Sequence, residues 1–131
     1  MAAHVSGGSD WLRGREILVI ELICHLIGDY NLQNDYMANN KKKSSIACSL
    51  HVFMYSLPFV LFCTHDPLAI AFIAGSHFII DRFGLAVYWT KFYGVGQTAP
   101  DYLKVWLTII VDNSWHLTCN YTALHFLEGL V

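Results

Sequence analysis

Apolar positions along this chain gather into four long segments, and inside each segment the few polar residues recur at helical spacing. From Glu16 to Tyr36, Glu21, His25 and Asp29 stand four residues apart in Glu-Leu-Ile-Cys-His-Leu-Ile-Gly-Asp, so a helix would stack them on one face. Ser44 to Thr64 runs 21 residues without Asp, Glu, Lys or Arg, about the length that crosses a bilayer as a helix. His51 interrupts that run, Tyr55 follows one turn later on the same face, and Pro58 predicts a kink. Pro67 to Lys91 is apolar apart from His77, Asp81 and Arg82, and Asp101 to Leu127 carries Asp112, His116 and Asn120 at fourfold spacing. The short link His65-Asp66-Pro67 predicts antiparallel neighbours, and the turn-rich connector from Gly94 to Pro100 sets off the last helix. The pattern predicts an all-α fold, a four-helix transmembrane bundle forming one domain over residues 16–131. A flexible leader and interfacial turn precede it over residues 1–15, with Ser9 or Asp10 capping a turn through Trp11, Arg13 and Arg15.

Composition strengthens the membrane setting. Of the 131 residues 55% are hydrophobic and only 14% charged, against roughly 25% charged in an average soluble domain. A net charge of −2 with no basic stripe offers nothing for a nucleic acid backbone to hold, so no nucleic-acid partner is expected. Cys24, Cys48, Cys63 and Cys119 stand singly in apolar segments, a pattern that predicts reduced, buried thiols.

Four antiparallel spans place the 37–45 and 92–100 loops on one side. Counted from that side at 1.5 Å per residue, most of the spaced His and Asp residues fall roughly 10–22 Å deep, in one slab of the bundle, with His51 the shallow member. Lys41, Lys42, Lys43, Lys91 and Lys104 cluster toward this side and Arg13 and Arg15 toward the other, which orients the lysine side to the cytoplasm and both termini outside. Tyr36, Trp89, Tyr93, Tyr102 and Trp106 form an aromatic belt near the same boundary.

An Asp at mid-membrane costs roughly 2.5–3.5 kcal/mol, so Asp29, Asp81 and Asp112 together cost on the order of 8–10 kcal/mol unless something compensates them. A divalent cation does so. The imidazoles of His25, His51, His77 and His116 with those carboxylates make a nitrogen and oxygen ligand set suited to zinc, with manganese or iron as alternatives. These ligands exceed what one tetrahedral ion needs, which points to two ions or to one ion with catalytic neighbours. The expected chemistry is a two-metal hydrolytic centre, in which water deprotonated near neutral pH attacks a phosphoryl or carbonyl group. Glu21 is then a general base, a further ligand or an outer hydrogen-bond acceptor, and Arg82 a group that stabilises developing negative charge, although its position beside Asp81 turns it to another helix face. The bland alternatives are a polar seam at Glu21, His25 and Asp29 that joins helices by hydrogen bonds, a satisfied core histidine at His51, and a solvated loop at the lysine triplet.

With His25-x-x-x-Asp29-Tyr-Asn-Leu-Gln33, Met37, the lysines, His51 with Tyr55, and His77-Phe-Ile-Ile-Asp81-Arg82 in view, the chain resembles a family of small bacterial and phage membrane proteins of unknown function. The likeness runs from about Leu22 to Asn120 and implies a bacterial inner membrane, in some cases that of a phage-infected host. A looser similarity is to membrane-bound metal-dependent hydrolases, and the His-x-x-x-Asp spacing also looks like the zinc site of cation-diffusion-facilitator carriers.

The function expected from these features is a metal-dependent hydrolase of the membrane acting on a phosphoester or other lipid-linked substrate. Its partners would be membrane lipid, a lipid-linked or small-molecule substrate, and further copies of itself in a homo-oligomer. The rival is a divalent-metal or proton-coupled transporter, and a third reading is a membrane accessory protein with a structural metal.

Overall fold

The structure, a computed structural model, describes residues 7–130 and is all-helical over them. Helix α1 (Gly7–Leu26) runs directly into a π-turn, Ile27–Asn31, and is followed by the short α2 (Asp35–Asn40). Then come α3 (Ser45–Phe62), α4 (Pro67–Phe83), α5 (Leu85–Tyr93) and α6 (Asp101–Thr122), the last ending in a second π-turn, Ala123–Leu127.

Local chemistry sets most of these limits. Ser44 Oγ accepts the Ala47 N–H at 3.3 Å and starts α3. Asp66 Oδ1 accepts the N–H groups of Leu68 and Ala69 at 2.9 and 3.0 Å, and Pro67 fills the first helical position of α4. Asn34 Oδ1 caps α2 by accepting the Met37 N–H at 2.9 Å. At the far end of α4, Gly84 adopts φ +59°, a left-handed conformation that a side chain would strain.

Two predicted spans are redrawn by these signals. The segment expected from Pro67 to Lys91 is two helices, α4 and α5, bent by 60° about Gly84. The segment expected from Glu16 to Tyr36 ends in the π-turn at Asn31, and Asn34 then opens a separate helix. Helix α1 begins at Gly7, so the segment expected as an interfacial turn, from Ser9 to Arg15, lies within it; residues 1–6 of the expected leader lie outside the described residues. The predicted second and fourth spans coincide with α3 and with α6 plus its π-turn.

Helices α1, α3, α4 and α6 pack in a closed ring, each against the next, while α2 lies on α3 and α5 on α4 and α6. The ring is polar at one end of its interior and apolar at the other. Glu21, His25, Asp29, His51, His77, Asp81, His116 and Asn120 are buried. Beyond them Tyr55, Phe59, Ala69, Ile73, Ala123 and Leu124 close the end next to the α3–α4 link. Much of the apolar surface faces outward instead, including Ile23 on α1, Phe53 and Leu61 on α3, Ile79 on α4, Phe92 on α5 and Trp106 on α6. Among the described helices α3 alone is long and apolar enough to cross a membrane, and α4 with α5 qualifies as a second if that bent pair is one span. Four crossings, as predicted, exceed what length and composition support, because α1 and α6 carry too many polar residues along their length.

At Gly28 the π-turn lies tight against Tyr55 of α3. A Cβ there would meet Tyr55 O at 2.8 Å, Tyr55 Cδ2 at 2.9 Å and Tyr55 Cα at 3.0 Å, and backbone atoms cannot swing aside as a flexible side chain would. Gly28→Ala is expected to destabilise the fold by about 1–3 kcal/mol through overpacking. Gly75→Ala has no atom within 4 Å of the new Cβ and is expected to be neutral or stabilising. Thermal midpoints of the two variants measured side by side check this, and equal midpoints would rule out the tight approach of the π-turn to α3.

Candidate metal centre

The cradle is built from one short segment of each ring helix. Asp29 sits in the π-turn after α1, a helix form that recurs at functional sites because it shifts the phase of the side chains that follow. His51 comes from the second turn of α3, His77 and Asp81 from the last two turns of α4, and Asp112 and His116 from the middle of α6.

Asp29, His51, His77 and Asp81 are all buried and offer ligand atoms within 4.8 Å of one another. His51 Nε2 lies 3.0 Å from His77 Nε2, 3.2 Å from Asp29 Oδ1 and 3.0 Å from Asp81 Oδ2. His77 Nε2 lies 3.1 Å from Asp81 Oδ2 and 3.7 Å from Asp29 Oδ1. Atoms bonded at about 2.0–2.2 Å to one tetrahedral ion stand about 3.3–3.6 Å apart, so this quartet has nearly the dimensions of an ion's ligand shell. Its contacts are also poorly explained without one, since Asp29 Oδ1 is buried with no partner in hydrogen-bonding geometry, and His51 and His77 turn their Nε2 atoms toward each other at 3.0 Å. A second group joins Asp29 to Asp112 and His116 under the same 4.8 Å limit, so the two groups share Asp29. His116 Nε2 stands 3.3 Å from Asp81 Oδ1 and 3.4 Å from Asp112 Oδ2.

Ring stacking orients the imidazoles. Tyr55 stacks on His77 at 3.6 Å between centroids, and His77 on His116 at 3.9 Å. Nδ1 of His51 and of His77 has no hydrogen-bond partner, so these stacks do the positioning that an acceptor behind a metal-bound ring usually does.

The predicted ligands are brought together with one exception. His25 Nδ1 is 2.9 Å from Tyr55 Oη, and its Nε2 is 3.1 Å from Asn113 Oδ1 but 3.9 Å from Asp29 Oδ2. Asn113 Oδ1 accepts only, so His25 carries its proton on Nε2 and accepts the Tyr55 O–H on Nδ1. Asn120 Nδ2 in turn donates to Tyr55 Oη at 2.7 Å. Both ring nitrogens of His25 are thus used, and it supports the cradle from outside. His51, expected as the shallow member, lies instead at the centre of the quartet.

Glu21 and Arg82 lie elsewhere. Glu21 is buried with Oε2 unpartnered, and it lines an outer groove with Leu18, Leu22, Leu117, Thr118 and Tyr121. Eight residues separate it from Asp29, about 12 Å along a helix, so it faces no cradle ligand. Arg82 donates from Nη1 to Lys42 O at 2.6 Å and from Nε to Ser45 Oγ at 3.2 Å, clamping the loop before α3 rather than facing the cradle.

Lys41 is the residue that sequence reasoning missed. Read as part of a solvated triplet, it turns inward, with Nζ 2.8 Å from Asp81 Oδ2 and 3.5 Å from His51 Nε2. Lys42 and Lys43 remain exposed. Loop residues carry no periodicity, so nothing in the sequence separates Lys41 from its neighbours. Asn113 was missed for a related reason, because it stands one position off the face that Asp112 and His116 define.

The family model described as "Protein of unknown function (DUF3307)" matches residues 17–127. The chain belongs to that family. No curated protein and no solved structure matches it. The matched stretch contains all the residues of the cradle and the His25, Tyr55, Asn113 and Asn120 network behind it, so the whole centre lies within the part of this DUF3307 chain that is common to the family model. The family description names no reaction, and what the centre does rests on its own geometry.

Proposed function

We propose that this chain is an integral membrane hydrolase that uses two divalent ions, zinc in the first instance, to cleave a phosphoester or other lipid-linked substrate. The observation that carries the reading is the pair of ligand groups joined through Asp29, the arrangement expected where one carboxylate links two ions. Metal ions in such a site supply a nucleophilic water near neutral pH and neutralise developing negative charge. Asp29, His51, His77 and Asp81 would hold one ion, and Asp112 and His116 with Asp29 the other. Tyr55 and the imidazole stack keep the ligands in register.

Charge agrees with this. With the imidazoles neutral, as metal ligands must be, Asp29, Asp81 and Asp112 bring −3 and Lys41 +1, so the ligand set offers −2 to the ions. The membrane setting is supported by the inverted distribution of side chains, with polar residues inside the ring and large apolar ones outside. Tyr55, Phe59, Ile73 and Leu124 fill the ring interior beyond the centre with apolar side chains, and a cavity lies on its Lys41 side, which favours catalysis over a transport path open to both sides.

The test is metal analysis and turnover on the full-length protein in detergent. Elemental analysis is expected to find up to two dications per chain, and an aryl phosphoester is expected to be hydrolysed, with loss of turnover under chelation and recovery on adding zinc or manganese. Folded protein that binds no zinc, manganese or iron would sink the reading.

A further inference from the structure

Between the cradle and the surface lies a cavity of about 140 Å³ whose lining includes Lys41, Lys42, Asp81, Gly84, Thr108 and Asp112. Its volume is close to the roughly 150 Å³ that takes one benzene molecule, so it admits a head group of a few heavy atoms and no acyl chain. Two of its polar side chains are cationic and two are ligands of the cradle. Lys42 lies over Gly84, where a Cβ would stand 3.8 Å from its Cδ and Cε. Thr108 donates its hydroxyl to Lys104 O at 2.9 Å, which leaves its oxygen lone pairs free to accept.

We propose that this cavity binds a phosphate-sized anionic group, and that Lys41 is the cation that holds it once metal has displaced the Lys41 ammonium from Asp81. The proposal rests on the metal reading above and names what the same centre recognises. Asp81 Oδ2 is contacted by Lys41 Nζ at 2.8 Å and by the two imidazole nitrogens at 3.0 and 3.1 Å. An ion bonded to that oxygen at about 2.1 Å would lie within about 5 Å of Nζ as it now stands. Two cations that close repel, and they compete for the same lone pairs. Lys41 stands in the turn after α2 on a flexible four-carbon stem, so its ammonium is the partner able to move, and the cavity it already lines is the space beside it.

The charge balance selects the ligand. Three carboxylates, two dications and Lys41 sum to −3 + 4 + 1 = +2, which a dianionic phosphoryl group would neutralise. Without metal, the carboxylates of Asp81 and Asp112 line the cavity uncompensated by any dication and repel an anion. Anion binding is therefore expected to require metal, and metal and Lys41 compete for Asp81 but act in the same sense on the anion.

Calorimetric titration of inorganic phosphate into the full-length protein, with metal content measured on the same samples, tests this. Metal-loaded wild type is expected to bind phosphate and chelated protein not to. Lys41→Met is expected to weaken phosphate binding by about tenfold or more while holding zinc as tightly as wild type or more tightly. Lys41→Arg keeps the charge and is expected to keep phosphate. A change that merely damaged the fold would weaken both ligands together. Competition by a short-chain phosphatidic acid would identify a lipid head group as the occupant, and its failure to compete would identify a soluble phosphate; either supports the site. Equal phosphate affinity in loaded wild type and Lys41→Met, or in loaded and chelated protein, would overturn it. Absence of metal from every sample would overturn the metal reading and the anion site with it.

Discussion

Asp29→Asn is expected to empty both metal positions at once. Asp29 is the one residue that the two ligand groups have in common, and asparagine keeps its size while removing the charge. Loss of an outer partner typically lowers metal affinity 10–100-fold, so loss of a shared ligand should cost more than roughly a hundredfold at each position. Asp112→Ala removes a ligand from the second group alone and is expected to leave one ion bound; His77→Ala removes one from the first group alone and should do the same. Elemental analysis of the three variants against wild type reads this directly. If Asp29→Asn loses no more metal than Asp112→Ala, the two groups are not joined through Asp29. Under the proposed hydrolytic function, turnover should fall with the metal, because the ions would supply the activated water.

The second large effect is expected from Tyr55→Phe, which touches no ligand position. Tyr55 is fully buried and its hydroxyl accepts from Asn120 and donates to His25. Without that hydroxyl, a buried amide and a buried ring nitrogen lose their partners. At about 1–3 kcal/mol for each polar group left unpaired, the fold should lose roughly 2–4 kcal/mol, which lowers the thermal midpoint by on the order of ten degrees in a chain of this size. Metal stoichiometry should stay at the wild-type value, because Phe preserves the stack on His77. Nitrogen chemical shifts of His25 provide a second readout: in wild type the proton is expected on Nε2, facing Asn113, and the variant should lose that fixed tautomer. An unchanged midpoint together with an unchanged His25 tautomer would show that the Asn120–Tyr55–His25–Asn113 chain does not bear on the fold.

The two variants separate roles that look alike along the chain. His25 and Asp29 are one helical turn apart, yet only Asp29 reaches the cradle, because the ring nitrogens of His25 are both engaged by Tyr55 and Asn113. The same division holds on α6, where Asp112 and His116 face the centre while Asn120, one turn further, serves the network behind it. Carboxylates and imidazoles backed by neutral hydrogen-bonding groups would suit a buried dication, since ligands left free to rotate would lose affinity and orientation together.

The outward apolar surface and the bend at Gly84 bear on how such a centre would meet a lipid-linked substrate. Helix α5 turns away from α4 by 60° and exposes Tyr88, Trp89, Phe92 and Tyr93 near the end where Lys41 and the cavity lie. Aromatic side chains with one apolar and one polar edge settle at a membrane–water boundary, which in the proposed setting puts the mouth of the centre at head-group level.

Sequence alone determined the all-helical class and most of the candidate ligand positions. Spacing of four residues is a local property of a helix, so His77 with Asp81 and Asp112 with His116 could be paired before any packing was known. A depth count along antiparallel helices was enough to put most of these side chains in one slab. What only the tertiary structure decided were properties that depend on neighbours in space. The exclusion of His25 follows from two partners, Tyr55 and Asn113, that are far from it in the chain and near it in the ring. The phase of Asp29 is set by a π-turn, which leaves no mark in the pattern of apolar positions, and the break at Gly84 became visible only as a left-handed backbone. Lys41 depended most on the fold: in a loop, direction is set by what the chain packs against, and three adjacent lysines differ only in which of them finds Asp81.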